Sequence, residues 1–225
     1  MTRTHRTPEN NRGAVILAGG RSTRFGEEDK ALATLVDRPM IRHVVDRLHP
    51  LVDELIINCR EEQRRAFADV LTGDSAPNRY AVDTEPDHGP MAGIVTGLSA
   101  LDQATEAFVV ACDMPFVDRR VVEFLFERLG DADAVVPQVE GEWLETTHAV
   151  YRRDPMIAAA REAFSVGEER IVHALDRLEV LTVDADEICN YGSLDSFENI
   201  NTQDELADAE RRLANQSSGT FQQRK

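Results

Sequence analysis

Short apolar runs alternate with amphipathic segments along the first 130 residues, and this alternation restricts the fold more than any other feature of the chain. The runs GAVILAG, DELIINC and AFVVACD are typical of buried strands, and RPMIRHVVDRLHP carries its apolar residues at helical spacing. Strands that alternate with helices form a mainly parallel sheet, because each helix carries the chain back across the sheet. We therefore predict an α/β fold with a mostly parallel sheet flanked by helices.

The second half of the chain is less regular. DAVVPQV and TTHAVYRR flank a turn near Gly141 and predict a small antiparallel hairpin. Two helices around residues 154–164 and 168–177, a strand EVLTVD and a final helix near 202–214 follow. Since neither a repeat nor a flexible linker interrupts the pattern, we predict one domain over residues 13–214. Residues 1–12 and 215–225 are predicted to be disordered tails.

Charge and cysteine content exclude several functional classes. The net charge of −16 disfavours binding to nucleic acid, and the chain has no apolar run long enough for a membrane span. The three cysteines show no CxxC spacing, which fits reduced thiols in a cytoplasm. Acidic residues spread along the chain, with only two lysines, suggest a surface adapted to high salt; GC-biased coding is the alternative explanation.

The segment LAGGRSTRFGEEDKAL directly follows the first strand, where open α/β sheets bind ligands. Gly19 and Gly20 would let the backbone pass close to a ligand, and successive N–H groups could cradle phosphate oxygens. Arg24 and Lys30 add positive charge. Lys30 is one of two lysines beside 23 arginines, which indicates a role for a compact point charge that a planar guanidinium cannot fill.

Two further loops should lie at the same edge of the sheet. Asp113, in CDMPF, ends a strand and offers the single carboxylate through which Mg²⁺ is often held together with phosphates and waters. Asp83 ends a shorter strand, and GPMAG then opens a helix with small residues. Each motif alone also fits ordinary turn or capping chemistry. Together the three loops predict a site for a nucleoside triphosphate and a metal.

These motifs resemble those of the nucleotidyltransferases, and most closely those of the molybdenum cofactor guanylyltransferases. LAGGRSTRFGEEDKAL is similar to the family's signature loop, although Phe25 stands where the family more often has Met. GPMAGIVTGL and CDMPF resemble the next two motifs, and FENINTQDEL resembles the C-terminal Asn-x-Asn-Thr segment. The order and spacing of the four motifs fit over roughly residues 13–210. The resemblance implies a single-domain, Rossmann-like nucleotidyltransferase fold.

The resemblance also implies a reaction, in which GMP is transferred from GTP to molybdenum–molybdopterin with release of pyrophosphate. Leu17, Ala18 and Gly19 would bind the nucleotide, and Lys30 would contact its phosphates. Asn58 and Asp83 would contact guanosine, and Asp113 would hold Mg²⁺ as the cofactor. We add two assignments of our own: Arg24 assists Lys30 in catalysis, and Asn199 and Asn201 bind the acceptor, because an amide suits the mixed hydrogen-bonding edge of a pterin. The implied partners are the two substrates, with transient contact to proteins that insert or receive the molybdenum cofactor left open.

Other functions fit the same motifs. A cobinamide-phosphate guanylyltransferase, a molybdenum cofactor cytidylyltransferase or a sugar-phosphate enzyme would share the signature loop. The Asn199–Asn201 pair and the length of 225 residues argue against a sugar-nucleotide enzyme. A catalytically inactive nucleotide-binding regulator is the alternative from a different class, and the intact Lys30 and Asp113 argue against it.

Overall fold

Seven strands form one sheet at the centre of the molecule. The computed structural model describes residues 11–20, 25, 29–73, 75–83 and 89–220, with side chains to residue 214. The sheet strands are β1 (Arg12–Leu17), β4 (Glu54–Cys59), β5 (Arg79–Val82), β6 (Glu106–Ala111), β7 (Ala134–Gln138), β8 (His148–Arg152) and β9 (Val180–Asp184). Their order is β5-β4-β1-β6-β8-β7-β9, and β8 alone runs antiparallel to its neighbours. The predicted α/β class, mostly parallel sheet and antiparallel hairpin are confirmed.

Helices cover both faces of this sheet. They are α1 (Met40–Leu48), α2 (Glu61–Val70), α3 (Gly89–Ser99), α4 (Arg119–Arg128), α5 (Arg153–Ser165), α6 (Ile171–Leu175), α7 (Ala185–Cys189) and α8 (Gln203–Thr220). Residues of α1, α2, α4 and α7 pack on one face, and residues of α3, α5 and α6 pack on the other. Alternate residues of β1 point to opposite faces of the sheet. Ala14 and Ile16 pack with the layer that contains α1, and Val15 packs with the layer that contains α3. This explains why the central strands are apolar throughout.

Three features differ from the sequence-based prediction. A two-stranded hairpin, β2 (Thr34–Leu35) with β3 (Arg38–Pro39), and the short helix α7 were not predicted. Helix α8 continues to Thr220, beyond its predicted end at residue 214, and no proline interrupts the helical hydrogen bonds there. The predicted N-terminal tail lies outside the described residues except for Asn11 and Arg12, and Arg12 already belongs to β1.

A third, smaller cluster of buried residues joins the β2–β3 hairpin to α8. It contains Phe25, Ala33, Leu35, Met40, Ile200, Leu206 and Ala209. Phe25 belongs to the glycine-rich segment, and this cluster packs its side chain against the C-terminal helix. None of the helices in the described part of the chain combines the length and apolar character that a membrane span requires.

Two glycines of helix α3 face the sheet and leave no room there for a larger side chain. A Cβ atom added at Gly97 would lie 2.2 Å from Cγ1 of Val15, and one added at Gly93 would lie 2.6 Å from Oδ1 of Asn58. Neither distance is compatible with a methyl group unless the helix or the contacted side chain shifts. Small residues in GPMAGIVTG therefore bring the beginning of α3 next to the carboxyl ends of β1 and β4.

Replacing Gly97 by alanine is expected to lower the free energy of unfolding by about 1–3 kcal/mol, the usual cost of overpacking a core. The better helix propensity of alanine offsets this by no more than about 1 kcal/mol. Urea unfolding monitored by circular dichroism would measure the change. Val15→Ala lowers stability by itself, but the double variant should lose less than the sum of the two single losses, because the smaller side chain makes room for the new methyl group. Two independent, additive losses would contradict the contact.

Candidate active site

The carboxyl ends of four parallel strands meet at one edge of the sheet and hold the predicted loops together. The N–H of Ala18 donates to the carbonyl of Asn58 at 2.8 Å, and the N–H of Cys112 donates to the carbonyl of Leu17 at 3.0 Å. The N–H of Asp83 donates to the carbonyl of Cys59 at 3.0 Å. The loops that follow β1, β4, β5 and β6 are thus connected through the backbone, as expected for a ligand site in an open α/β sheet.

Lys30 connects the loop after β1 to the loop after β6. Its Nζ lies 2.5 Å from Oδ2 of Asp113 and 2.9 Å from Oδ1 of Asn201. The side chains of Lys30 and Asp113 are only 12% and 16% exposed, so the ion pair is largely shielded from water. The compact ammonium donates to both oxygens at once, whereas a guanidinium at this position would need room for its planar fork. This geometry explains why a lysine stands here in an arginine-rich chain.

The local fold around Lys30 fixes its main chain. Asp29 accepts a hydrogen bond from the N–H of Ala31 at 3.0 Å and thereby caps a short 3-10 turn over Lys30–Leu32. Ala31 is buried against the core, which orients the turn. Lys30 therefore extends from an anchored turn toward Asp113.

The C-terminal segment completes the site from the other side. The N–H of Ile200 donates to the carbonyl of Asp113 at 2.9 Å, and the Ile200 side chain is buried in the small cluster with Phe25. Thr202 and Glu205 exchange hydrogen bonds at the start of α8 and form a capping box. Asn201 lies between the hydrogen-bonded Ile200 and the capping box, and these two features position its side chain next to Lys30.

Asn58 and Asp83 form a second group at the same edge. Nδ2 of Asn58 donates to Oδ1 of Asp83 at 2.7 Å, and Asn58 is buried beneath Gly93. A Cβ added at Gly19 would lie 2.9 Å from Oδ2 of Asp83. The glycine therefore lets the first loop approach Asp83, whose carboxylate stands next to the entry of α3.

Comparison with known proteins agrees with this arrangement. The MobA-like NTP transferase domain matches residues 14–180. A probable molybdenum cofactor guanylyltransferase from Natronomonas pharaonis is 44% identical over 90% of this chain and 98% of its own length. A relative of the same name from Haloferax mediterranei is 38% identical over 89% of this chain and 94% of its own. The chain belongs to the MobA-like nucleotidyltransferase family.

A solved structure from the same family shows a similar fold. The molybdopterin-guanine dinucleotide biosynthesis protein A from Archaeoglobus fulgidus superimposes with a TM-score of 0.74 at 26% identity. The match covers 90% of this chain and 99% of that one. The sequence-based assignment to the nucleotidyltransferases, and to the molybdenum cofactor guanylyltransferases among them, is thereby confirmed.

The structure brings most of the predicted nucleotidyltransferase site residues to one edge of the sheet. Leu17, Ala18, Gly19, Lys30, Asn58, Asp83, Asp113 and Asn201 all lie there. Arg24 lies outside the described residues. Asn199 is half-buried, and its side chain makes no hydrogen bond to the described part of the chain. Sequence reasoning did not single out Gln63 and Arg60, which contact the loop from α2.

One buried oxygen bears on the metal that this family implies. Oδ1 of Asp113 is buried and has no hydrogen-bond partner among the described residues. No cluster of three or more His, Cys, Asp or Glu side chains arranged for a metal occurs within the described ranges. Mg²⁺ needs no such cluster, because phosphates and waters supply most of its ligands. The orphaned oxygen of Asp113 therefore fits a metal that arrives with the nucleotide.

His148 begins β8 opposite Val110, near the carboxyl end of β6, but its side chain is buried in the core and not open to the site. Its ring is fully buried, 4.9 Å from the Phe108 ring and 4.3 Å from the Phe197 ring between centroids. Nε2 lies 3.1 Å from Oγ of Ser196, and this Oγ already accepts the N–H of Asp118. Nδ1 lies 3.4 Å from Sδ of Met114, so both ring nitrogens have a partner inside the core.

This burial makes stability depend on pH. Desolvation lowers the pKa of His148 from 6.5 to about 3. Between these values the unfolded chain binds a proton that the folded protein does not, so the free energy of unfolding falls as the pH drops from about 6.5 toward 3. We expect this contribution to approach about 1.4 kcal/mol per pH unit within that window.

The His148→Leu variant isolates the effect, because leucine cannot titrate. Urea unfolding at a series of pH values should give a shallower acid-side slope for the variant than for the wild type. Carboxylates that titrate in the same range act on both proteins and cancel in the difference. Parallel curves would contradict a neutral, buried His148.

Proposed function

We propose that the protein transfers GMP from GTP to the phosphate of molybdenum–molybdopterin and releases pyrophosphate. The observation that carries the proposal is the contact of Lys30 with Asp113 and Asn201 at the edge where the glycine-rich loop ends. One cation, one carboxylate with an uncommitted oxygen and one amide converge there. The names of the relatives supply the substrate class.

The reaction requires positioning and positive charge more than proton transfer. A phosphate oxygen of the acceptor attacks the α-phosphorus of GTP, and the bond from that phosphorus to the oxygen bridging it to the β-phosphorus breaks. Pyrophosphate leaves with the electron pair of that bond. The attacking phosphate is already ionised, so no general base is required. Catalysis then consists of alignment and stabilisation of the charge that develops on the phosphates.

Lys30 supplies that charge in the proposed mechanism, and Arg24 assists it from the same loop. Bound phosphates compete with Asp113 and Asn201 for the three N–H donors of Lys30. Because both partners hold the ammonium before substrate arrives, little reorganisation is needed when the phosphates bind. Asp113 would hold Mg²⁺ through Oδ1, and the metal would neutralise charge on the phosphates.

The guanosine part is assigned to the neighbouring loops. Leu17 and Ala18 have backbone groups that already bond to other strands, so they form the floor of the site. The N–H of Gly19 makes no hydrogen bond to the described part of the chain and is the backbone donor that a nucleotide would use. Asn58 and Asp83, paired at 2.7 Å, present an amide and a carboxylate toward the nucleoside.

The acceptor is assigned to the C-terminal segment. Oδ1 of Asn201 accepts a hydrogen bond from Lys30. The side-chain nitrogen Nδ2 of Asn201 makes no hydrogen bond to the described residues. Asn201 would therefore join the lysine to the acceptor, while Asn199 lies two residues earlier on the same segment. Under this assignment the attacking phosphate would lie beside Lys30. We also propose a cytoplasmic reaction, consistent with three free cysteines.

Pyrophosphate release measured with GTP, CTP, ATP and UTP tests the proposal. We expect release that depends on molybdopterin and is fastest with GTP. Fastest release with CTP would favour a cytidylyltransferase, and release supported by cobinamide phosphate would reassign the acceptor. Binding of a nucleotide without release under any condition would indicate an inactive regulator. The assays belong in molar KCl, since the acidic surface suggests adaptation to salt.

A further inference from the structure

The first turn of α2 is connected to both ends of the glycine-rich loop by one side chain. Gln63 is buried, and its Nε2 donates to the carbonyl of Ala18 at 2.9 Å and to Oδ2 of Asp29 at 2.6 Å. Ala18 stands where the loop leaves β1, and Asp29 stands where the loop enters the turn that carries Lys30. A single amide group therefore spans the base of the loop.

The oxygen atom of the same amide accepts a hydrogen bond at the start of the helix. Oε1 of Gln63 accepts the N–H of Arg60 at 2.9 Å and so caps the start of α2. Nη2 of Arg60 donates to the carbonyl of Gly20 at 3.1 Å, which adds a contact to the same loop. All hydrogen-bonding atoms of the Gln63 amide are thus used. Glutamate could replace the cap but could not donate to the loop.

Asp29 connects Gln63 to the turn that carries Lys30. Its Oδ2 accepts from Gln63, and its Oδ1 accepts from the N–H of Ala31, the residue after Lys30. A shift of the Asp29 carboxylate would therefore release the turn. Nζ of Lys30 must stay within reach of Asp113 at 2.5 Å, so a small displacement of the turn would misplace the charge.

We propose that Gln63 is a positioning residue that closes the base of the glycine-rich loop and, through Asp29, fixes Lys30 for phosphate binding. Gln63 touches no reacting atom in this account. The inference rests on the proposed function for its effect on catalysis, but the constraint itself is a property of the loop and can be measured separately.

Gln63→Glu is the decisive substitution. It keeps the side-chain volume and an oxygen for the N–H of Arg60, but it places a carboxylate oxygen against Asp29 and the carbonyl of Ala18. We expect kcat/KM for GTP to fall roughly 10- to 100-fold, the factor that corresponds to losing a hydrogen bond to a charged group. Gln103→Glu is the matched control, because Gln103 is exposed at the opposite end of β6; it should retain wild-type activity.

A second substitution separates positioning from simple loss of structure. Asp29→Asn in the Gln63→Glu background reverses donor and acceptor across the 2.6 Å contact, since the new amide nitrogen at position 29 can donate to the new carboxylate at position 63 while the amide oxygen still accepts from Ala31. We expect the double variant to regain roughly tenfold in kcat/KM over Gln63→Glu. Full activity of Gln63→Glu, or no gain in the folded double variant, would overturn the proposal.

Hydrogen exchange of the Ala31 amide tests the constraint without reference to activity. Exchange should be faster in Gln63→Glu than in the wild type and should slow again in the double variant; unchanged exchange would overturn the positioning role. If the wild type transfers no GMP, the proposed function fails, and this readout still decides whether Gln63 holds Asp29.

Discussion

Lys30→Ala is expected to lower kcat/KM for GTP by at least roughly 100- to 1,000-fold, the usual effect of removing a preorganised charge from a transition state. The substitution removes the cation that lies 2.5 Å from Asp113 and leaves that carboxylate largely buried without its partner. Circular dichroism and urea unfolding should show a folded protein, because Lys30 contributes to the site and not to the apolar core. Steady-state pyrophosphate release would measure the effect.

Two further variants define what Lys30 contributes. Lys30→Arg should also be strongly impaired, because the guanidinium cannot place one point charge between Asp113 and Asn201. Lys225→Ala is the matched control, since Lys225 is the other lysine of the chain, and it should behave as wild type. Near-normal activity of both Lys30 variants at saturating GTP would rule out its role at the phosphates.

Asp113→Asn is expected to reduce kcat/KM by a similar factor and to raise the Mg²⁺ concentration needed for half-maximal activity. Oδ1 of Asp113 is buried without a partner among the described residues, and replacing the carboxylate by an amide removes the negative charge that would bind the metal there. The amide can still offer its oxygen to Lys30, so the variant separates metal binding from the placement of Lys30. Titration of Mg²⁺ at fixed GTP would show the shift.

The control for this experiment is Asp176→Asn, which changes an exposed carboxylate at the end of α6. The Asp176→Asn variant also loses one negative charge, but from the surface, and it should leave the Mg²⁺ dependence of activity unchanged. An Asp113→Asn curve that coincides with the wild-type curve would remove Asp113 from the metal site, whatever the effect on the maximal rate.

The parts of the site that the sequence could predict are those set by single strands. Gly19, Asp83 and Asp113 each follow an apolar run, and the carboxyl ends of parallel strands meet at one edge. Lys30 stood out because lysine is rare in this chain. These inferences need only the local pattern and the general rule for parallel sheets.

The parts that could not be predicted depend on contacts between distant segments. Asn201 and Lys30 are 171 residues apart, and nothing in either segment indicates that the amide accepts from the ammonium. Gln63 lies in REEQRR, a pattern typical of a solvated helix face, and only the structure shows its amide beneath the loop. His148 packs in the core beside Phe108, and the local sequence TTHAVY does not distinguish such a residue from one that acts at the site.

The unpredicted β2–β3 hairpin has a similar explanation. Its strands are two residues long, too short for an alternation of apolar and polar residues to appear. The contacts that stabilise the hairpin come from a distant part of the chain, since Leu35 packs with Ile200 and Leu206.

Mass spectrometry of the reaction product tests the central claim most directly. The wild-type protein would be incubated with Mg²⁺, α-labelled GTP and molybdenum–molybdopterin in molar KCl. We predict that the label appears, with the mass of GMP, in a dinucleotide joined to the pterin phosphate, in equal amount to the pyrophosphate released. Label that stays in GTP or appears only in free GMP would contradict the assignment of this protein as the enzyme that joins GMP to the molybdenum cofactor.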